Sequence, residues 1–192
     1  MDNSALTTAI PVVGVIISVI AIMLSGVALY VSRNTSKSDR FATLYDELNA
    51  PSLGLAMERI GEWIDQCALE MGKPREQLTE ADIRDQYRKH LRGVTVDQKI
   101  TKRDDLESAR RTVKAWFIKC CLFYEAGNLD RRQLGYLITD HHNELMWYSF
   151  FMTREQADWW KKQGHNPTSR SSSHEPFFKR LADAGFSPPA NA

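Results

Sequence analysis

The chain has 192 residues, with 25 Lys and Arg against 24 Asp and Glu and a formal net charge of +1. That length holds one ordinary domain plus an anchor, and the charge balance argues against a dedicated nucleic-acid binder. A charged fraction of 26% with five tryptophans argues against a disordered tail. The three cysteines, Cys67, Cys120 and Cys121, are too few for a disulfide framework and read as reduced thiols of a cytosolic domain.

From Ile10 to Val31 the chain carries no charged residue. A helix of about 20 residues crosses a hydrocarbon core of about 30 Å, so the spacing predicts a transmembrane helix over 10–32. Residues 1–9 form a short extracytoplasmic N-terminus. A cleaved signal peptide would want a basic leader and a shorter apolar run; residues 1–9 contain no Lys or Arg. Arg33, Lys37 and Arg40 follow the span and only Asp2 precedes it, which puts the N-terminus outside and the rest in the cytosol of a cell membrane, the inner membrane if bacterial. Gly14, Ser18, Ala21, Ser25, Ala28 and Ser32 recur at alternating spacings of four and three. Small residues on one seam let two helix backbones approach closely, so a homo-oligomer or a partner membrane helix is expected.

Without the first 40 residues the chain has as many acidic as basic side chains. Apolar residues recur at helical spacing, and no alternating runs occur, so the fold class is all-α: one transmembrane helix, then a cytosolic bundle of four or five helices. Phe41, Leu44, Tyr45 and Leu48 make a stripe in a juxtamembrane helix over 33–50, continuing the membrane helix. The bundle domain spans 51–163. Its first helix, Pro51 to Met71, buries Leu53, Ala56, Met57, Ile60, Trp63, Ile64, Cys67, Ala68 and Met71, with Leu55 and Leu69 on the polar side. Gly72 and Pro74 end it. Thr79 caps a helix from Glu80 to Leu91 that Gly93 stops. The connector 93–101 has no assignable structure. A long helix from about Asp104 to Ala126 faces inward with Leu106, Ala109, Val113, Trp116, Phe117, Cys120 and Phe123.

Gly127 and Asn128 close that helix, and Asp130 caps the next, which carries Leu134, Leu137, Ile138, His141, Leu145 and Tyr148. The short turn makes the two an antiparallel hairpin. A further helix covers Arg154 to Lys162, with Trp159 and Trp160. Residues 164–192 are a polar linker and a short C-terminal amphipathic helix.

Catalytic candidates are few. Arg84 and His90 match the loose pattern of the HEPN helical ribonucleases, an Arg and a His separated by four to six residues; that resemblance implies His90 as acid/base and Arg84 stabilising a phosphorane-like transition state. The spacing puts the two on different faces of a regular helix, and a solvated charged face is the competing reading. His141 and Glu144, at i and i+3, with Glu125 from the preceding helix are an alternative metal site, although bundled carboxylate sites need more such units. His141 falls on the apolar stripe as a hydrogen-bonded core histidine, and His142 points to solvent. Asp140, His141 and His142 echo a DHH phosphoesterase signature, without the acidic clusters it requires. Cys120 and Cys121 read as structural rather than as redox or palmitoylation sites. Trp159, Trp160, Lys161 and Lys162 suit a membrane surface or an ordinary tryptophan pair.

The stretch from Trp116 to Phe151, with its aromatic helix, the Gly127 to Asp130 turn and a second aromatic-rich helix, resembles bacterial single-span membrane proteins whose small helical cytosolic domain is of unknown function. The resemblance implies this architecture and supplies no catalytic residues or cofactor. The expected function is a non-catalytic adaptor at the cytosolic membrane face, with an unknown cytosolic protein as partner and no cofactor. The alternatives are a membrane-tethered HEPN-like ribonuclease and a small subunit of a larger membrane complex.

Overall fold

The computed structural model describes the backbone of residues 3–93, 105–164 and 175–188, and within these the side chains from Ile20 onward except 175, 177 and 178. The described residues form seven α-helices and one 3-10 turn, with no strand: α1 (Asn3–Leu48), α2 (Pro51–Met71), the turn Arg75–Gln77, α3 (Glu80–Gly93), α4 (Asp105–Glu125), α5 (Arg131–Leu137), α6 (Asp140–Lys162) and α7 (Glu175–Asp183). Gly93 of the expected connector 93–101 ends α3; the rest of the connector and most of the polar linker lie outside the described residues.

Helix α2 starts because Ala50 is extended and Pro51 occupies the first turn, where a missing N–H costs nothing. Its buried stripe runs Leu53, Ala56, Met57, Ile60, Gly61, Ile64, Cys67, Ala68 and packs along α4. It stops at Gly72, whose φ of 63° is costly for any residue with a Cβ; Gly72 N–H bonds Leu69 O and Lys73 N–H bonds Ala68 O. At the start of α3, Thr79 Oγ1 accepts from Asp82 N–H at 3.2 Å while Asp82 Oδ2 accepts from Thr79 N–H at 3.0 Å.

Helix α6 holds the middle of the bundle. Residues 145–153 are buried without interruption, so this helix presents no solvent face there. Helix α3 packs on it from one side and α4 from another, with α2 touching it as well. Leu145, Met146, Tyr148, Phe151 and Met152 fill the centre with Phe117 and Ile64.

Three expectations change. First, the helix after Asp130 is two helices. Asp130 and Gln133 form a complete capping box on α5, but Ile138 N–H closes that helix onto Leu134 O and Thr139 is extended. Thr139 Oγ1 then accepts from His142 N–H and starts α6, which runs unbroken through the expected boundary at Arg154 to Lys162. The break resets the helical phase, so the histidines exchange roles. His141 is exposed, and His142 is half-buried with Nδ1 3.0 Å from Leu137 O.

Second, the juxtamembrane stripe, which continues α1 to Leu48 as expected, is not separate from the bundle: Leu44 is fully buried, with Phe41 and Leu48 packed on the same core. Lys119 pairs with Glu47, and the Arg40 guanidinium lies 5.2 Å from the Phe123 ring centre. Third, the C-terminal piece docks. Leu181 and Ala184 are buried against the bundle, Trp147 Nε1–H donates to Phe186 O at 3.0 Å, and Asn143 Nδ2–H donates to Ser187 O at 2.9 Å.

The expected span 10–32 falls partly on residues 10–19, whose side chains are outside the described set. Among the described residues no helix is long and apolar enough to cross a membrane. What is described there is a helix that leaves the bundle: every residue from 20 to 36 is exposed.

Because Leu44 is completely enclosed, Leu44→Ala is expected to cost about 3 kcal/mol, read as a lower urea midpoint for the full-length protein at unchanged slope. A juxtamembrane helix independent of the bundle would leave the midpoint where it was.

Candidate functional site

Helices α3, α4 and α6 meet around charged groups. Arg110 is 1% exposed. Its Nε donates to Glu107 Oε2 at 2.9 Å, its Nη2 to Glu107 Oε1 and to Gln156 Oε1, both at 2.7 Å, and its Nη1 to Thr153 Oγ1. Tyr87, fully buried on α3, donates its hydroxyl to Glu107 Oε2 at 2.8 Å. Burial would raise the Glu107 carboxyl; the Arg110 bond and charge, with Gln156 and Tyr87, overcome it and hold the group down at about 2.

Between Thr153 and Gln156 on α6, Glu155 is also buried and is gripped by two arginines of α3. Arg88 reaches it through Nε at 2.6 Å and Nη2 at 3.0 Å, and Arg84 through Nε at 3.1 Å. Burial opposes the carboxylate, but the Arg88 and Arg84 bonds keep it below the ordinary value. Arg84 also meets Asp158 at 2.5 Å and Glu80 at 3.4 Å. Its guanidinium is therefore spread over three carboxylates. His90 stacks on the Tyr87 ring at 5.9 Å with a 17° angle between planes. The pair expected for phosphoryl chemistry is thus set among structural partners, with Arg84 tying α3 to α6.

The alternative metal residues are likewise occupied. Glu125 pairs with Arg180 of α7. Glu144 receives Arg75 Nε at 3.0 Å and the Tyr148 hydroxyl at 2.7 Å. His141 Nδ1 is 4.0 Å from Glu144 Oε2 on an exposed ring. Among the described residues no group of three His, Cys, Asp or Glu side chains could hold a metal ion. Arg75, placed by its 3-10 turn, also bonds Asp65 at 2.9 Å and so joins α2 to α6.

All three cysteines are buried and outside any disulfide. Burial pushes Cys67 up to about 12 and Cys121 up to about 11, and raises Cys120 as well, so each stays protonated and unreactive. Trp159 and Trp160 contact each other edge to face at 4.9 Å and are half-buried.

Sequence reasoning missed Arg110, Glu107 and Glu155. The signal was present: Arg110 falls in phase with Leu106, Ala109 and Val113, and Glu155 with Tyr148 and Met152. A charged residue in a core phase demands a buried partner.

Of the features that remain, the neck where α1 leaves the bundle is the one with unsatisfied surface. Eight large apolar side chains are exposed there: Ile20, Ile22, Met23, Leu24, Val27, Leu29, Tyr30 and Val31. A cleft at their base is lined by Leu29, Tyr30, Ser32, Arg33, Ser36 and Asn128.

Two outcomes follow from the buried charges. Glu107→Gln is expected to cost about 3 kcal/mol, because it leaves Arg110 buried without its counter-charge. A depressed carboxyl contributes stability above its unfolded value and loses it as pH falls, so the wild type weakens from pH 4.5 down to about 2 and the variant weakens less over that window. Urea unfolding as a function of pH reads both. At Lys114 it is the charged form that the fold disfavours. Burial, with Arg110 and Arg111 adding repulsion, brings it down from 10.5 to about 8. The unfolded chain holds that proton up to higher pH, so the contribution of Lys114 improves as pH rises from 8 to 10.5. Lys114→Met is expected to gain about 1 kcal/mol at neutral pH, the advantage shrinking across that window in the same titration.

No protein-family model, curated protein or solved structure matches this chain. The similarity seen in Trp116 to Phe151 therefore rests on its own residues, and what stands is an all-helical domain.

Proposed function

We propose that the chain is a membrane-anchored, non-catalytic helical adaptor, with the N-terminus outside and the bundle on the cytosolic face. The observation that carries this reading is α1 itself. Its last three turns belong to the bundle core, while residues 20–36 project with every side chain exposed. An apolar surface of eight large side chains on a projecting helix needs lipid or another helix around it. The uncharged run from Ile10 to Val31 is roughly 33 Å long as a helix, which suits a bilayer. Arg33, Lys37 and Arg40 lie where the positive-inside rule wants them.

The partner in the membrane is a second copy or another span, taken up along Gly14, Ser18, Ala21, Ser25, Ala28 and Ser32. Ala21, Ser25, Ala28 and Ser32 are exposed; Gly14 and Ser18 precede the described side chains. Ser25 Oγ donates to Ala21 O at 2.8 Å, so its hydroxyl is satisfied within the helix and the seam works by close packing. Tethering confines a cytosolic protein partner to the surface and raises its effective concentration. Arg84 is already held by Glu80, Glu155 and Asp158, which favours an adaptor over the ribonuclease reading.

The test is native mass spectrometry of the full-length protein, gently solubilised from membranes washed with alkaline carbonate. Retention through the wash and a homo-oligomer or reproducible protein partner are expected. Release into the wash would end the anchor reading. RNA cleavage that disappears in Arg84→Ala and His90→Ala would end the adaptor reading, and isolation only within one large assembly would favour the subunit alternative.

A further inference from the structure

The cleft at the neck has a volume of about 590 Å³. Two turns of α1 supply Leu29, Tyr30, Ser32, Arg33 and Ser36, and the α4–α5 turn supplies Asn128. That turn is held on both sides. Gly127, at φ 68°, lets the chain reverse, with Gly127 N–H on Tyr124 O at 3.0 Å and Asn128 N–H on Phe123 O at 2.8 Å. The Asp130–Gln133 capping box then starts α5, which packs against α1. A fixed turn thus brings an amide side chain to the level of Arg33.

The charged side chain in the lining of the cleft is Arg33. Residues 29–37 contain Arg33 and Lys37 and no acid. Helix α5 opens with Arg131 and Arg132, both exposed, and the Arg132 guanidinium lies 5.8 Å from the Tyr136 ring centre on an exposed face. Asp130, two residues after Asn128, accepts at Oδ1 from Gln133 N–H at 2.8 Å. Asp39 is set apart from this lining, in an adjoining cleft that it shares with Ser32, Ser36 and Arg40.

We propose that this cleft holds the head group of an anionic phospholipid. The phosphodiester oxygens accept from the Arg33 guanidinium, the Ser32 and Ser36 hydroxyls and the Asn128 amide, and an acyl chain runs up past Tyr30 and Leu29. The apolar wall, continuous with the exposed apolar surface of α1, distinguishes a lipid from a soluble phosphate, which would leave that wall wet. Tyrosine at the boundary and arginine below it match the layering of a bilayer interface. The inference rests on the membrane reading above, since it sets the end of the apolar run at the head-group level. Its consequence is orientation: a lipid bound between α1 and the α4–α5 turn clamps the bundle to the bilayer by a second point.

The experiment reconstitutes full-length protein into bilayers of phosphatidylcholine containing a minority of phosphatidylglycerol and counts the phospholipids retained on release by native mass spectrometry. Wild type is expected to retain phosphatidylglycerol enriched about fivefold over the bulk ratio, the effect of one basic residue at the surface. Arg33→Gln is expected to return to the bulk ratio and Asn128→Leu to fall between, while Arg59→Gln, on α2, keeps the enrichment. Far-ultraviolet circular dichroism checks that each variant folds. Phosphatidylglycerol at the bulk ratio in wild type, or enrichment that survives Arg33→Gln, overturns the lipid site and leaves the anchor standing. Loss of enrichment on adding soluble glycerol phosphate reassigns the cleft to a free phosphate. Failure of wild type to enter the bilayer removes the anchor and the lipid site together.

Discussion

Burying nine consecutive residues of α6 forces every polar atom on that stretch to find its partner inside the protein. Thr153 bonds back to Ser149 O at 2.7 Å and receives Arg110, which α4 carries into the core. Arg110 is tolerable there only because Glu107, one turn earlier on the same helix, neutralises it and Tyr87 and Gln156 take up remaining hydrogen-bonding capacity. One buried ion pair thereby joins three helices, α3, α4 and α6. Glu155 repeats the arrangement from the α3 side with Arg84 and Arg88. Apolar packing alone would let α6 slide or rotate against its neighbours, whereas these directional contacts hold one register. The price is a buried Ser149 hydroxyl that finds no partner.

The same charges bear on function. A general acid needs a carboxyl raised toward neutrality, whereas among the described residues Asp82, Glu107 and Glu155 are all lowered by Lys or Arg partners. The perturbed thiols move in the protonated, inert direction. Such a pattern is that of a network that fixes helices rather than one that moves protons. Of the residues singled out from the sequence, Arg84, Glu125 and Glu144 each meet a partner of opposite charge.

Much of the fold was legible locally. Thr79, Asp130, Gly72 and Gly127 mark helix ends through groups bonded within a few residues of themselves, so the sequence carries the whole interaction. The stripe of α2 was legible for the same reason, and the exposure of Leu55 and Leu69 follows from their place off it. The break at Ile138 and Thr139 was not: apolar spacing continues across it, neither residue is Gly or Pro, and only the threonine hydroxyl announces a cap. Misplacing that one residue shifted the phase of all that followed and exchanged His141 with His142. The candidate site fared worse because Arg84, Glu125 and Glu144 are claimed by Glu155, Arg180 and Arg75, partners 71, 55 and 69 positions away. Contacts that distant leave no trace in spacing.

What distinguishes this bundle is that one helix belongs to two environments. Helix α1 is continuous, and within its described exposed half Gly26 is the one residue that weakens it before Phe41, Leu44 and Leu48 enter the core. A helix gripped at one end and free along roughly 25 Å transmits tilt rather than absorbing it. If its apolar half pairs with a second copy, a change in crossing angle at the seam must reappear where Arg40 meets Phe123 and Glu47 meets Lys119. Those contacts join α1 to α4, and α4 carries Arg110. The neck on α1 and the buried ion pair on α4 are therefore joined through the side-chain contacts of Arg40 and Glu47 with α4.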